Sequence, residues 1–512
     1  MSWNARDFLR NCRRKTIVNR SRKFSGKLEK SERRKIMPSE SIVWDEEADV
    51  VVLGCGAGGA VAAITAFDAD AKVIVIEKGE GGGNSRLATM AFLCPTNNDS
   101  AREHIKRLSF GTLGEDVIDA YVNWASKNVD YISELGGEVE TCFPGASFPA
   151  LWGSETMLRY RVKAKIDGEL GGASLWNLLS ENLERRHIPI HHHAVAKKIV
   201  RSGGEIVGVV IEKNNKSLNI RAKRGVVLAT GGFEYNENFK REFLAGYPIF
   251  AYGNPGNTGD GIKLAQELGA DLWHMKAVAA PMGFKFAEFE SAFIMRMPRE
   301  GYILVDQNGQ RFCNETGLEH YSMWMAVTSF DMESLRFSRI PSFLIFDEKT
   351  RLSGPITRIG HGANRAYKWS LDNSDEIRRG WIACSDDPKD LARKLGISSE
   401  GNLSQTLNAY QEACEIGIDE KFGRSKETLE KFEGKYYGLP LWPCLLNTQG
   451  GPKRNARGEI LDIWGNPIRR LYGVGEAGSI WGFLYQSGGN LGECLALGRM
   501  VGANVAAELT LG

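Results

Sequence analysis

The stretch Asp49-Val50-Val51-Val52-Leu53-Gly54-Cys55-Gly56-Ala57-Gly58-Gly59-Ala60 constrains this chain more than any other. A short apolar run rich in β-branched residues reads as a buried strand. Gly54, Gly56 and Gly59 follow in G-x-G-x-x-G spacing, and small apolar residues (Ala60, Ala63, Ile64, Phe67) then recur at helical spacing. In such a strand–turn–helix unit the first glycine permits the turn. The second lets a pyrophosphate approach the backbone, and the third lets the helix pack close to the strand. The phosphate sits on the helix N-terminus, where N–H groups and the dipole favour an anion. A second strand, Lys72–Ile76, ends at Glu77, where a ribose hydroxyl needs an acceptor. A glycine-rich turn in an ordinary α/β domain would not explain Glu77, so a dinucleotide site is expected.

The 512 residues suffice for two or three domains, and a hydrophobic content of 42% supports a full core. A net charge of +2 gives no overall attraction to nucleic acid or to an anionic membrane, and neither partner is expected. The nine cysteines are scattered without C-x-x-C pairs, which argues against zinc or iron–sulfur ligation and for a reducing, cytoplasmic setting. No apolar run approaches the ~20 residues of a transmembrane helix. Residues 1–44 are basic from Arg6 through Lys35 and lack apolar periodicity. They are expected to form a disordered tail without a function of its own, a transit-like segment or an upstream start with Met37 as the true one being the other readings.

Further along, Gly81-Gly82-Gly83-Asn84-Ser85 lets backbone and a hydroxyl approach a flat or phosphorylated ligand. The spacing predicts helices over 115–135 and 171–184. His191, His192 and His193 read as a strand entry, because neighbours in a strand point to opposite faces and cannot readily share a metal. A hairpin is expected over 204–220 and a separate buried strand over 225–233. Asp260 in Asn257-Thr258-Gly259-Asp260-Gly261 could cap a helix running to Gly269. Residues 302–312 read as a hairpin in a stretch without dinucleotide grammar. That grammar returns in Asn447-Thr448-Gln449-Gly450-Gly451, in a strand ending at Glu476, and in Ser487-Gly488-Gly489-Asn490-Leu491-Gly492, which runs into an apolar helix over 494–509.

Taken together, the opening fold, Gly-Gly-Asn-Ser at 82–85, Ala-Thr-Gly-Gly at 229–232, Gly-Asp-Gly at 259–261, Gly-x-Arg-Phe-x-Asn-Glu at 309–315, Thr-x-Gly-Gly at 448–451 and Tyr-Gly-Val-Gly-Glu at 472–476 resemble the FAD-dependent fumarate reductase and 3-ketosteroid dehydrogenase flavoproteins. The resemblance runs from about residue 45 to 512. It implies an α/β, doubly wound (Rossmann-type) FAD-binding domain in two parts, 45–275 and 436–512, with an inserted α+β substrate-capping domain at 276–435. It also implies that Gly54, Gly56, Ala57, Gly58 and Gly59 cradle the pyrophosphate and that Glu77 and Lys78 lie at the adenosine end. Asn84, Ser85, Thr230, Gly231 and Asp260 would line the cofactor, Glu476 would contact the ribityl chain, and Asn490 and Leu491 would face the flavin N1/C2=O edge. Family members with covalent flavin carry a His shortly after the Asn-Ser pair. Here the segment reads Ser85-Arg86-Leu87-Ala88-Thr89, so FAD is expected to be noncovalent.

The chain departs from the dicarboxylate reductases at their substrate residues. Asn447 stands where they have a His before Thr-x-Gly-Gly, Tyr485 where they have an Arg before the terminal Gly-Gly-Asn, and Tyr321 where an Arg acid would follow the Asn-Glu motif. A dicarboxylate wants bidentate, always-charged partners. Tyr485-Gln486-Ser487-Gly488-Gly489 instead resembles the Tyr-x-x-x-Gly element of the ketosteroid dehydrogenases, where the tyrosine hydroxyl and the glycine N–H grip a ketone. The resemblance makes Tyr321 the proton acceptor. A further active-site tyrosine of that family has no counterpart, its region holding Phe143, Phe148 or Trp152. The implied activity is hydride transfer between flavin N5 and a carbon near a ketone, most closely 3-ketosteroid dehydrogenation or its reverse, with an unidentified electron acceptor or donor. The rivals are reduction of another α,β-unsaturated acid, for which Arg296 and Arg299 are uncommitted, and a flavin electron-transfer subunit without hydride chemistry.

Overall fold

The first three valines of the opening run, Val50, Val51 and Val52, are fully buried in β1 (Glu46–Leu53). The computed structural model describes residues 42–89, 91–143, 147–166 and 168–511. The basic stretch 1–41, with Met37, lies outside the described residues, as does the side chain of Phe143. After β1 come α1 (Ala57–Asp68), β2 (Val73–Ile76), α2 (Glu115–Ala125), α3 (Asn128–Glu134), α4 (Gly171–Arg185), β3 (Ile190–His191), β4 (Ala194–Ser202), β5 (Glu205–Lys213) and β6 (Lys216–Leu228). β1 pairs in parallel with β2, Val50 opposite Val73 and Leu53 opposite Ile76, and with β6, Leu53 opposite Leu228. β3 extends the parallel sheet beyond β2. Strands covered on both faces read as continuous apolar runs, which is why no polar alternation marks them. The two faces feed different cores: Val50 and Val52 pack with α1 and α4, Val51 and Leu53 with Ile74, Ile76 and the β4–β5 layer.

Three sequence expectations change. The helix expected over 115–135 is two helices, broken at Ser126-Lys127. Asn128 turns inward at the break, and its amide donates to the carbonyls of Leu93 (2.7 Å) and Gly492 (3.1 Å). The hairpin arm at 217–220 and the strand at 225–228 are one strand, β6, which changes partner along its length. On one edge it pairs antiparallel with β5 through a two-residue turn at Asn214-Asn215, both left-handed, and then parallel with the strand Pro467–Gly473, while on the other edge β1 pairs with it in parallel from Ile220 to Leu228. Asp260 is the first residue of α5 (Asp260–Gln266) and not its cap, which is Gly259.

Later strands that position the site include β7 (Met282–Phe284), β8 (Phe293–Ile294), β9 (Tyr302–Val305), β10 (Ser342–Asp347), β11 (Tyr436–Leu445), β12 (Glu459–Leu461) and β13 (Pro467–Gly473), followed by α6 (Gly489–Ala506). β13 joins the first sheet beside β6 in parallel, and β12 closes that edge antiparallel. β8, β7, β11, β10 and β9 lie in this order in a second sheet. The sequence reading set 436 at the start of the last cofactor segment. β11 instead pairs with both β10 and β7, so 436–445 lies in the second sheet. The hairpin read over 302–312 reduces to a single bridge, Val305 with Arg311, and the main partner of β9 is β10. At that bridge Arg311 binds Glu315 (2.7 Å) and Asp419 (3.0 Å) in a buried ion cluster.

α6 lies against α1 through glycine. A Cβ on Gly498 would stand 2.9 Å from Val61 and one on Gly502 2.6 Å from the Ala62 carbonyl. In an open helix Gly→Ala stabilises by about 1 kcal/mol. Here the sign should reverse: Gly502→Ala is expected to destabilise by about 1–3 kcal/mol through overpacking, read as a lower urea midpoint with an unchanged slope.

Candidate functional site

Two connected regions face each other where the first sheet meets the second. The first is a cavity of about 350 Å³ along the ends of β1, β2 and β6. Gly54, Gly56, Ala57, Gly58, Glu77, Lys78, Asn84, Ser85, Thr230, Gly231, Asp260, Glu476, Asn490 and Leu491 line it, together with Tyr321 and Tyr485. Gly59 and Gly489 do not. Gly59 packs on the turn, where a Cβ would sit 2.0 Å from the Gly54 carbonyl. The Gly489 N–H donates to the Gln486 carbonyl at 2.8 Å, and a Cβ there would meet the Trp481 ring at 2.4 Å. The ketone-gripping role read for Gly489 therefore does not fit this geometry: its N–H is spent inside a turn.

The glycines divide their tasks. Gly54 has φ +101° and would place a Cβ 2.3 Å from the Ala229 carbonyl, so both backbone angle and space demand glycine. Gly56 is different. Its φ is −83°, open to any residue, and its nearest Cβ neighbour is the Ser85 hydroxyl at 3.7 Å. The room beside Gly56 is ligand room at the N-terminus of α1.

Glu77 is held by two backbone donors, Cys55 N–H (2.7 Å) on one oxygen and Gly79 N–H (2.7 Å) on the other. Each oxygen keeps a lone pair for a ribose hydroxyl. Lys78 is tied to Asp260 (2.6 Å) and Thr258 (2.9 Å). The Ser85 hydroxyl accepts from Ala57 N–H at 3.1 Å. Glu476 sits in a network that the motifs did not reveal: the Asn84 amide reaches both its oxygens (3.2 Å each) and the Asn257 amide one of them (3.2 Å). Burial pushes the Glu476 carboxyl well up, with the charge of buried Glu234 adding to it, while the Asn84 amide works against both. Glu234 carries no motif. Its place two residues past Ala-Thr-Gly-Gly is the signal that could have found it. Arg454 fixes the loop bearing Glu476 by donating to the carbonyls of Gly473 (2.9 Å) and Gly475 (3.2 Å) while paired with buried Glu493.

This cavity fits FAD. It has phosphate room at Gly56, a ribose acceptor at Glu77, and the buried Thr230 Oγ1 and Asn490 Oδ1, which find no partner within the protein. No histidine lines it among the described residues. His191 pairs with Glu46 (3.1 Å), and His193 pairs with Glu80 (3.2 Å), which itself lines the cavity.

The second region, about 460 Å³, opens under the second sheet and shares Tyr321 and Ser487 with the first. The Tyr321 and Tyr485 rings meet edge to face, 5.5 Å apart at 86°. Tyr485 also stacks edge-on to Trp481 (6.1 Å). Burial raises both hydroxyls above the ordinary tyrosine range. Arg358 and Ser487 draw Tyr321 back down, and the Asn490 N–H does the same for Tyr485. Of the residues read as replacing a further tyrosine, Trp152 is an exposed ring under Arg107 and Phe148 packs on the first core. Tyr252, which the sequence reading passed over, is buried close enough to Tyr321 and Tyr485 for their charges to act on it. Arg299, uncommitted in the sequence, is paired with Glu430.

The matching family is described as FAD binding domain and covers residues 49–491. The chain belongs to this family and binds FAD. It is 26% identical over 481 residues to the NADH:fumarate oxidoreductase of Klebsiella pneumoniae, covering 90% of this chain and 47% of that protein. The chain thus spans about half the length of that relative. It is 26% identical over 513 residues to the digoxin reductase of Eggerthella lenta, covering 91% of this chain and 88% of the relative. Its fold resembles the crystal structure of 3-ketosteroid delta1-dehydrogenase from Sterolibacterium denitrificans with 1,4-androstadiene-3,17-dione (TM-score 0.79, 22% identity, 90% of this chain and 100% of that one). The protein is an FAD-dependent oxidoreductase. No helix among the described residues is long and apolar enough to cross a membrane.

Two outcomes follow from this geometry. Gly56→Val is expected to fold, because its Cβ would make only ordinary van der Waals contacts, and to lose flavin, because the side chain fills the phosphate room; near-native melting with a colourless preparation is the expected result. Glu319, whose carboxyl accepts from Tyr321 N–H at 2.9 Å, is pushed by burial from 4.5 to about 7. A carboxyl harder to ionise in the fold than in the open chain lowers stability as pH rises from about 4.5 to 7, with no further loss above. Glu319→Gln removes that cost, so its melting temperature should match wild type near pH 4.5 and exceed it by a constant margin above pH 7.

Proposed function

We propose that this chain moves a hydride between flavin N5 and a carbon beside a substrate ketone, as a ketosteroid dehydrogenase does, exchanging electrons with an external acceptor or donor. The observation that carries this reading is the edge-to-face pair of Tyr321 and Tyr485 shared by the two cavities. Bound FAD supplies the hydride acceptor or donor. The chain's own residues supply the rest. The Tyr485 hydroxyl donates to the ketone oxygen, while the Asn490 N–H facing its oxygen strengthens it as a donor and takes the place read for Gly489. Polarising the carbonyl acidifies the adjacent C–H. Tyr321 takes that proton, and Arg358 and Ser487 favour its anion against the desolvation that opposes it. Since burial wins, Tyr321 is neutral at pH 7, and desaturation should accelerate with rising pH. Ile294, Met295, Met297, Leu318 and Met323 give the second cavity an apolar wall suited to a ring ketone.

Tyr485→Phe should keep fold and FAD and lose about 10²–10³ in turnover, because one oxyanion donor is gone. Ketosteroid binding, followed by perturbation of the flavin absorbance, should weaken with it. Tyr321→Phe should also abolish turnover but leave binding nearly unchanged, since it removes only proton transfer. Wild-type turnover in both variants, or no ketosteroid that perturbs the flavin, would exclude this reading and favour reduction of an α,β-unsaturated acid.

A further inference from the structure

Three arginines, Arg159, Arg296 and Arg358, line the second cavity; Arg358 biases Tyr321, and the ketone chemistry uses no charge at Arg296. Met295 and Thr357 form an antiparallel bridge, with Arg296 N–H donating to the Ile356 carbonyl (2.9 Å) and Arg358 N–H to the Ile294 carbonyl (3.3 Å). Side chains alternate along paired strands, so Arg296 and Arg358 stand on one face as diagonal neighbours, about 7–8 Å apart at their roots. Both line the cavity that Tyr321 also lines.

Among the described residues, neither guanidinium forms a hydrogen bond or an ion pair through its side chain. The arginines nearby that serve structure do: Arg299 binds Glu430, and Arg311 and Arg424 both bind Glu315, which removes that acid from the balance of the cavity. Of the other acids in the wall, Glu300 and Glu319, neither lies within ion-pair distance of Arg296 or Arg358, and burial makes Glu319 reluctant to ionise, pushing it up to about 7. His320 is pushed down to about 4 by burial and by these two guanidiniums, so it faces them uncharged. Like charges side by side on one strand face repel. A hydrocarbon laid over them would remove their water and give nothing in return. A carboxylate, with about four acceptor sites, satisfies two forks at once.

We infer that the substrate is a keto acid: its ketone goes to Tyr485 and its carboxylate to Arg296 and Arg358. This inference rests on the ketone reading above and adds the second anchoring group. Arg358 also biases Tyr321, so its loss would confound binding with proton transfer. Arg296, the exposed member of the pair and not among the groups that shift Tyr321, is the discriminating position.

The test uses the holoenzyme and two matched pairs, 3-oxocyclohexane-1-carboxylate with its methyl ester and 3-oxo-4-androstene-17β-carboxylate with its methyl ester, one short and one long. Binding is read from the flavin absorbance band and turnover with an artificial acceptor. In at least one pair the acid should bind at least about tenfold tighter than the ester, the scale of a charged hydrogen bond lost. Arg296→Gln should bring the acid down to the affinity of its ester, and Arg296→Lys should retain part of the preference. Equal binding of acid and ester in both pairs, or an acid preference that survives Arg296→Gln, overturns the keto acid while ester turnover leaves the ketone reading intact. If none of the four ketones perturbs the flavin and fumarate oxidises the reduced enzyme, the ketone reading fails and the keto acid fails with it.

Discussion

The approach of α1 to α6 is the contact on which the rest of the site depends. Gly58 packs on Val474 and Cys494, while Gly498 and Gly502 admit Val61 and Ala62 at distances that no Cβ would allow. Because the two helices touch, the N-terminus of α1, which meets the phosphate room, and the N-terminus of α6, which carries Asn490 and Leu491, open into one cavity. Helix N-termini concentrate unpaired N–H groups and positive potential. Two of them aimed into the same cavity suit a ligand that is anionic at its centre and gains electrons at its end. A Cβ at either glycine of α6 would separate those poles before it touched any ligand.

How much of this could be read from the residues depended on the range of the physics involved. β1, the turn and α1 were legible because strand burial, glycine spacing and helical period are all local. Glu77 was legible because its distance from the glycines is set by one α-helix and one strand. The continuity of β6 was not, since a strand that trades an antiparallel neighbour for a parallel one carries no mark of the exchange. The place of β11 was hidden for a similar reason: its partners lie some ninety residues earlier in β10 and farther still in β7. At the site, Tyr321 and Tyr485 were found by pattern. The Asn84–Glu476–Asn257 network and the orientation of the Gly489 N–H depend on how three distant loops meet, and no spacing encodes that.

The second cavity combines two chemical demands that the sequence left as rivals. Its apolar wall of methionines, leucine and isoleucine suits a ring, and Arg296 and Arg358 suit an anion. Residue by residue these looked like evidence for different substrates. The bridge between Met295 and Thr357 brings them to one surface, where a single molecule can meet both. The buried acids there are arranged so as not to compete. Glu315 is consumed by two arginines of its own, and burial makes Glu319 reluctant to ionise.

Tyr321 packs against the first core, while Met323, two residues on, belongs to the second. Its carbonyl is fixed to Ala280 N–H at 2.9 Å. Tyr485 stands wholly in the first core, in the loop that leads into α6. The two rings are therefore surveyed from different foundations, and their separation inherits the alignment error of one sheet on the other. Drift in sequence at the buried Val327 or Ile340, which share a core with Met323, has a route to the chemistry that leaves the flavin cradle untouched. Selection for turnover in such a protein acts on the fit between two halves as much as on the residues that touch the substrate.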